Sequence, residues 1–124
     1  MVSSTSLAAN GADLSGASDV TYYTVFIAPV NITAVKMHIY VTESYVKDTT
    51  DAAISLATEA DTPVTVFTYT LNAAGVAART FISDTPESGK ASIAAGTALN
   101  LVITVTGTGT GTGHAKVWLE YQEA

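Results

Sequence analysis

The chain has 124 residues, five Lys and Arg against eleven Asp and Glu, and no cysteine. That length fits one domain with a core large enough to fold without staples, and the missing cysteines exclude disulfides, thiol chemistry and thiolate metal sites. The formal net charge is −6, and the cations Lys36, Lys47, Arg79, Lys90 and Lys116 are scattered; direct nucleic-acid binding, which needs clustered Lys and Arg, is disfavoured.

Residues 1–18 are rich in Ser, Ala, Gly and Asn and carry no apolar periodicity. They read as an extended N-terminal arm, with one domain over 19–124. The start lacks a basic region followed by an apolar one, so no signal peptide is expected, and no later run is long enough to span a membrane. Val20 to Ala28 is the first strong strand. Tyr23, Val25 and Ile27 share one face; Tyr22, Thr24 and Phe26 share the other. Pro29 ends it. Asn31 to Glu43 follows, with Val35, Met37, Ile39 and Val41 on one face and Lys36, His38 and Tyr40 on the other. This is the alternation of a half-buried antiparallel strand.

A polar loop is expected over Tyr45 to Asp51, then strands over Ile54–Thr58, Pro63–Leu71 and Ala78–Ser83. Asp84 to Lys90 combines Pro, Gly and charge and reads as an exposed loop. Ala91–Ala94 can pair briefly before an Ala95–Gly96 turn. Leu99–Thr106 and Ala115–Tyr121 both alternate, and the Gly/Thr run Gly107–Gly113 between them reads as a hairpin loop. No segment has a sustained helical period. The whole is all-β: an antiparallel two-sheet sandwich of about seven to eight strands, jelly-roll-like rather than immunoglobulin-like.

Reactive chemistry finds little support. His38 and His114 are not spaced as metal ligands, and no metal or cofactor is expected. The carboxylate pairs Asp48/Asp51, Glu59/Asp61 and Asp84/Glu87 fall in turns, where Asp and Glu are ordinary solvated residues. The glycine run lacks the Lys-Ser/Thr of a phosphate loop and opens a strand rather than a helix. Enzymatic activity is therefore not expected. The sole tryptophan, Trp118, falls on the polar face of the last strand with His114. It reads either as a residue half covered by a loop or as an interface anchor, Trp and Tyr being enriched at binding hot spots. Tyr22, Phe26, Tyr40 and His38 join it as interface candidates, because they lie opposite the main apolar rows of their strands. An aromatic outer patch of this kind suits oligomerisation, docking or a sugar platform.

Three features together resemble small structural proteins of tailed bacteriophages. They are Phe26-Ile27-Ala28-Pro29 followed by Ile32-Thr33-Ala34-Val35, the Ala95-Gly96-Thr97-Ala98-Leu99 turn and strand, and the Thr-Gly repeat before the closing Val117-x-Leu119-x-Tyr121. The resemblance spans residues 20–122. It implies a non-enzymatic capsid decoration (cement) protein, made in the host cytoplasm and carried on the outside of the virion. Its expected partner is the major capsid protein, and its expected state a homotrimer. On that reading the arm, through Ser3, Leu7, Asn10 and Leu14, would reach the capsid and order there. A carbohydrate-binding or adhesive fibre or tail module is the alternative.

Overall fold

The computed structural model describes residues 5–6, 10–16, 18–47, 51–72, 75–105 and 111–124. Ten strands follow one another: β1 (Thr5–Ser6), β2 (Asn10–Asp13), β3 (Val20–Ile27), β4 (Ile32–Lys47), β5 (Ala52–Thr58), β6 (Thr65–Leu71), β7 (Phe81–Asp84), β8 (Ser92–Ile93), β9 (Ala98–Val105) and β10 (Gly111–Glu123). They form two antiparallel sheets. In the front sheet β10 and β4 are central; β1 and β2 line the free side of β10, and β7 and β8 that of β4. The back sheet has the order β3-β9-β5-β6.

With the two-residue β1 and β8 taken as extensions of the edges, the chain changes sheet at every step from β2 to β10 except between β5 and β6. That wrapping of paired Greek keys is a jelly roll. It also corrects the expected closing hairpin. β9 and β10 do not pair: β9 lies between β3 and β5, and β10 lies against β4. Residues 107–110 of the glycine run lie outside the described residues, and the last three, Gly111 to Gly113, begin β10 itself.

The core lies between the sheets. Met37, Ile39 and Val41 of β4 and Ala115, Val117 and Leu119 of β10 face Leu99, Leu101 and Ile103 of β9 and Ile54 and Leu56 of β5, all buried. Each fully buried Leu, Ile or Val contributes about 1.5–3 kcal/mol. Three register shifts adjust β4. The ladder to β10 passes over Val35, so Ile32 and Ala34 face the core and Val35, expected inside, does not share their burial. Two more shifts, at Thr42 and between Glu43 and Val46, turn Glu43 outward opposite His114 and return Tyr45 to the core side. Tyr45 was expected in a loop. Instead its backbone N–H and C=O pair with Val76 at 2.8 and 2.9 Å, extending the front sheet.

β3 corrects the expectation for two interface candidates. Tyr22 pairs with Leu101 and Phe26 with Leu99, so three residues of β3 stand against Asn100 alone. Tyr22 and Phe26 share the face that alternation gives them, but that face packs on the core, while Tyr23 and Ile27 point outward. The Asp13 N–H donates to the Tyr22 hydroxyl at 2.9 Å, and the Phe26 ring meets Tyr121 with centroids 5.1 Å apart. Both contacts tie one sheet to the other, and neither residue belongs to an outer patch.

Part of the expected arm belongs to the sandwich. Ser3 and Leu7 lie outside the described residues. The backbone of Asn10 pairs with Val117, and Leu14 is a core residue, 1% exposed. The Leu14 N–H donates to the Gly113 carbonyl at 2.9 Å. Gly113 has φ +150°, and a Cβ there would stand 3.1 Å from both Leu14 Cβ and Tyr45 Cδ1. The glycine is needed because two buried side chains close over its backbone. Leu14→Ala is expected to lower unfolding stability in urea by about 2–5 kcal/mol, as for other buried leucines. Gly113→Ala is expected to cost about 1–3 kcal/mol in the same measurement, through overpacking and backbone strain.

Candidate functional site: the outer face of the front sheet

Antiparallel register places Trp118 opposite His38, and His38 opposite Ser83. The neighbouring row is Lys116, Tyr40 and Phe81. These residues alternate with the core positions of β10, β4 and β7, so they share the outer face. Three of the expected interface candidates, Trp118, Tyr40 and His38, are thus brought together. Phe81 completes the group at 60% exposed, while Trp118, Tyr40 and His38 are half-buried. Sequence alone places Phe81 in a strand without fixing its face. The signal was present in the pair Phe81-Ile82, but it resolves only once Ile82 is seen packed on the core.

The imidazole of His38 is fixed from three sides. Its Nε2 lies 2.8 Å from Glu120 Oε1, and its Nδ1 lies 2.8 Å from Ser83 Oγ. The carboxylate can only accept, so Nε2 carries a proton; in the neutral ring Nδ1 then accepts from the Ser83 hydroxyl. The ring stacks on Phe81, with centroids 5.4 Å apart and planes 19° from parallel. Such an offset contact adds about 0.5–1.5 kcal/mol beyond area burial. The chain Glu120–His38–Ser83 therefore spans three strands and holds the aromatic face rigid. No side chain among the described residues hydrogen-bonds the Tyr40 hydroxyl or the Trp118 indole N–H, and both reach solvent.

His114 lies apart, toward the start of β10. Its Nδ1 is 3.1 Å from Glu43 Oε1, which also accepts from the Gly113 N–H at 3.1 Å, and its Nε2 is 3.9 Å from Asp13 Oδ1. These contacts are exposed. They anchor the first turn of β10 against β2 and β4 and do not join the aromatic face. The hydrogen bond from His114, followed by that from Gly113, holds the Glu43 carboxyl below its usual value. Among the described residues no group of three or more His, Asp or Glu is arranged to hold a metal ion. No helix among them is long and apolar enough to cross a membrane.

Two shallow open cavities, of about 200 and 370 Å³, flank β8. Ile93 and Ala94 line both, and no residue of the aromatic face lines either. The site is therefore a surface rather than a pocket. Its fold and geometry define a jelly-roll sandwich with a rigid, aromatic, mixed-charge sheet face. Set against known protein families and characterised proteins, the chain matches none.

Because the folded pKa of Glu43 is depressed below the ordinary 4.5, its contribution to stability is present above that value and is lost as pH falls through the folded pKa. Glu43→Gln is accordingly expected to lower the urea midpoint near neutral pH, and the gap to the parent is expected to narrow as pH falls below 4.5. A gap that is constant with pH would mean that ionisation of Glu43 plays no part.

Proposed function

We propose that this protein is a non-enzymatic virion structural protein that docks on the outer surface of an assembled phage head, with the major capsid protein as its partner. The observation that carries the reading is the outer face of the front sheet. Trp118, Tyr40 and Phe81 supply rigid aromatic area, and Lys36, Lys116 and Glu120 supply a charged rim around it. Aromatic anchors surrounded by polar residues are the composition of protein-docking surfaces. Jelly rolls recur in viral capsid and lectin domains, which is support by analogy of fold alone. The resemblance over residues 20–122 points the same way.

The proposed contact is the face rather than the arm. With Leu14 in the core and β2 paired to β10, the second half of the expected arm already has its partner within the sandwich. A decoration protein that binds only the assembled shell stabilises it by mass action, and a preformed rigid face serves that role without an ordering cost.

A saccharide is the second reading. It is favoured by the unbonded Tyr40 hydroxyl and Trp118 N–H beside a fixed carboxylate and imidazole. Stacking rings with polar atoms at their edges would grip the apolar face and hydroxyls of a sugar.

The two readings separate experimentally. The protein is expected to co-sediment with assembled heads at a fixed copy number, and the double change Trp118→Ala and Phe81→Ser is expected to weaken binding by at least about tenfold. Unaltered far-ultraviolet circular dichroism would verify the fold of the variant. Absence from sedimented heads, or occupancy unchanged by the double change, would overturn the shell reading. Trp118 emission shifting with a soluble oligosaccharide, with the response lost in Tyr40→Phe, would instead establish the saccharide reading.

A further inference from the structure

We propose that the outer face of the back sheet is a self-association surface on which two copies of this chain pack face to face. The register of β3, β9, β5 and β6 sets Thr21, Val102, Ser55 and Thr68 in one row across all four strands. Thr104, Ala53 and Thr70 form the next row. Toward the other end the outward positions are Ala98, Asn100 and Ala57. No outward position on these four strands carries a charge, in a chain of eleven acids and five bases. The front sheet differs completely, with Lys36, Lys116 and Glu120 on its outer face.

A charge-free face made of hydroxyls and methyls can be dehydrated at low cost, because isolated ions are the groups most costly to bury. Some of its hydroxyls already satisfy one another: Ser55 Oγ donates to Thr68 Oγ1 at 2.9 Å. Small side chains also leave the surface flat enough for a second sheet to stack at about the usual 10 Å spacing.

The β3 edge supplies apolar anchors. Tyr23 is 72% exposed and Ile27 55% exposed, and both occupy outward positions on β3. Tyr23 is held out by a strained residue. Thr24 has φ +51°, a region that a β-branched side chain rarely adopts. Its N–H donates to Asn100 Oδ1 at 2.8 Å, and its hydroxyl donates to Glu59 Oε1 at 2.6 Å. Asn100, the one buried polar side chain among the described residues, is thereby satisfied by the bulge. Strain of this kind costs about 1–3 kcal/mol and persists where the surroundings enforce it.

Charge selects a second copy as the occupant. Two chains of net charge −6 repel wherever their acidic surfaces meet, and this neutral face lets them approach without burying like charges. The area also fits. Four strands about 5 Å apart and seven residues long cover on the order of 450 Å². Tyr23 and Ile27 raise the total for two copies to roughly 1,200 Å², the lower bound for a specific interface. The contact is therefore reversible and concentration-dependent. Because the same patch serves both copies, assembly closes at two, not at the trimer implied by the resemblance.

This inference is independent of the docking proposal, which uses the front sheet. It is tested by sedimentation velocity on the full chain from about 1 µM to about 500 µM, a range that spans affinities typical of small interfaces. The parent is expected to shift from monomer to dimer across that range. Val102→Lys, at the centre of the face, and Thr70→Glu, at an exposed position that tolerates change, are each expected to weaken the dimer by at least about tenfold. Phe81→Ser on the front sheet is expected to leave it unchanged. A monomer at every concentration would overturn the inference. So would a dimer indifferent to both back-sheet changes, a dimer lost on Phe81→Ser, or a trimer.

Discussion

β4 and β10 pair along almost their whole length, from Lys47 opposite Gly111 to Ile32 opposite Glu123, and both working levels of the front sheet follow from the unbroken central register of Ala115–Glu120 against Lys36–Val41. The inward half of that register supplies Met37, Ile39, Val117 and Leu119 to the core. The outward half sets Trp118 beside His38 and Lys116 beside Tyr40. A slip of one residue would exchange the two sets, burying lysine and histidine and exposing the core. The ladder is fixed at one end by Gly113, whose missing side chain admits Leu14 and Tyr45. A glycine that sequence alone places in a flexible loop is therefore a packing residue for the longest pairing in the molecule.

Much of this was legible in the residues, and what was not has specific causes. The β10 faces were readable because period-two alternation survives unbroken from Gly113 to Leu119. The sandwich class was readable for the same reason. The closing hairpin was not, because a Gly/Thr linker serves equally as a turn within a sheet or a crossing between sheets, and local pattern does not distinguish them. β3 misled because both of its faces carry large side chains, so alternation separates Tyr22 and Phe26 from Tyr23 and Ile27 without saying which pair is buried. Leu14 was hidden among small polar residues, with no periodic neighbours to mark it as core. Phe81 and the neutral back face share another cause: each is defined by residues from three or four strands, and only register brings them together.

The two outer faces divide the chemistry of the chain. In the front face a carboxylate, an imidazole and a hydroxyl are linked in series across β10, β4 and β7, with an aromatic ring stacked on the imidazole. Groups held this way lose little freedom when a partner arrives, so their contacts count more fully toward affinity. The back face is made of neutral hydroxyls and methyls and carries no outward charge on its strands. It suits a flat, neutral counterpart and offers little to a charged or highly shaped one. A jelly roll makes this division possible, because alternate crossings between sheets let composition be set independently on each face.

The strain at Thr24 belongs to that division. In a straight β3 Thr24 would stand in the ladder and Asn100 would lose its bond from the Thr24 N–H. The bulge instead folds Thr24 over Asn100 and ties it to Glu59, closing the margin of the neutral face. It also interrupts the free hydrogen-bonding edge of β3, which would otherwise be open to uncontrolled strand addition. In a chain with only 13% charged residues, few charges are available to guard exposed edges. Irregular backbone does that work at β3, so association is directed to the sheet faces.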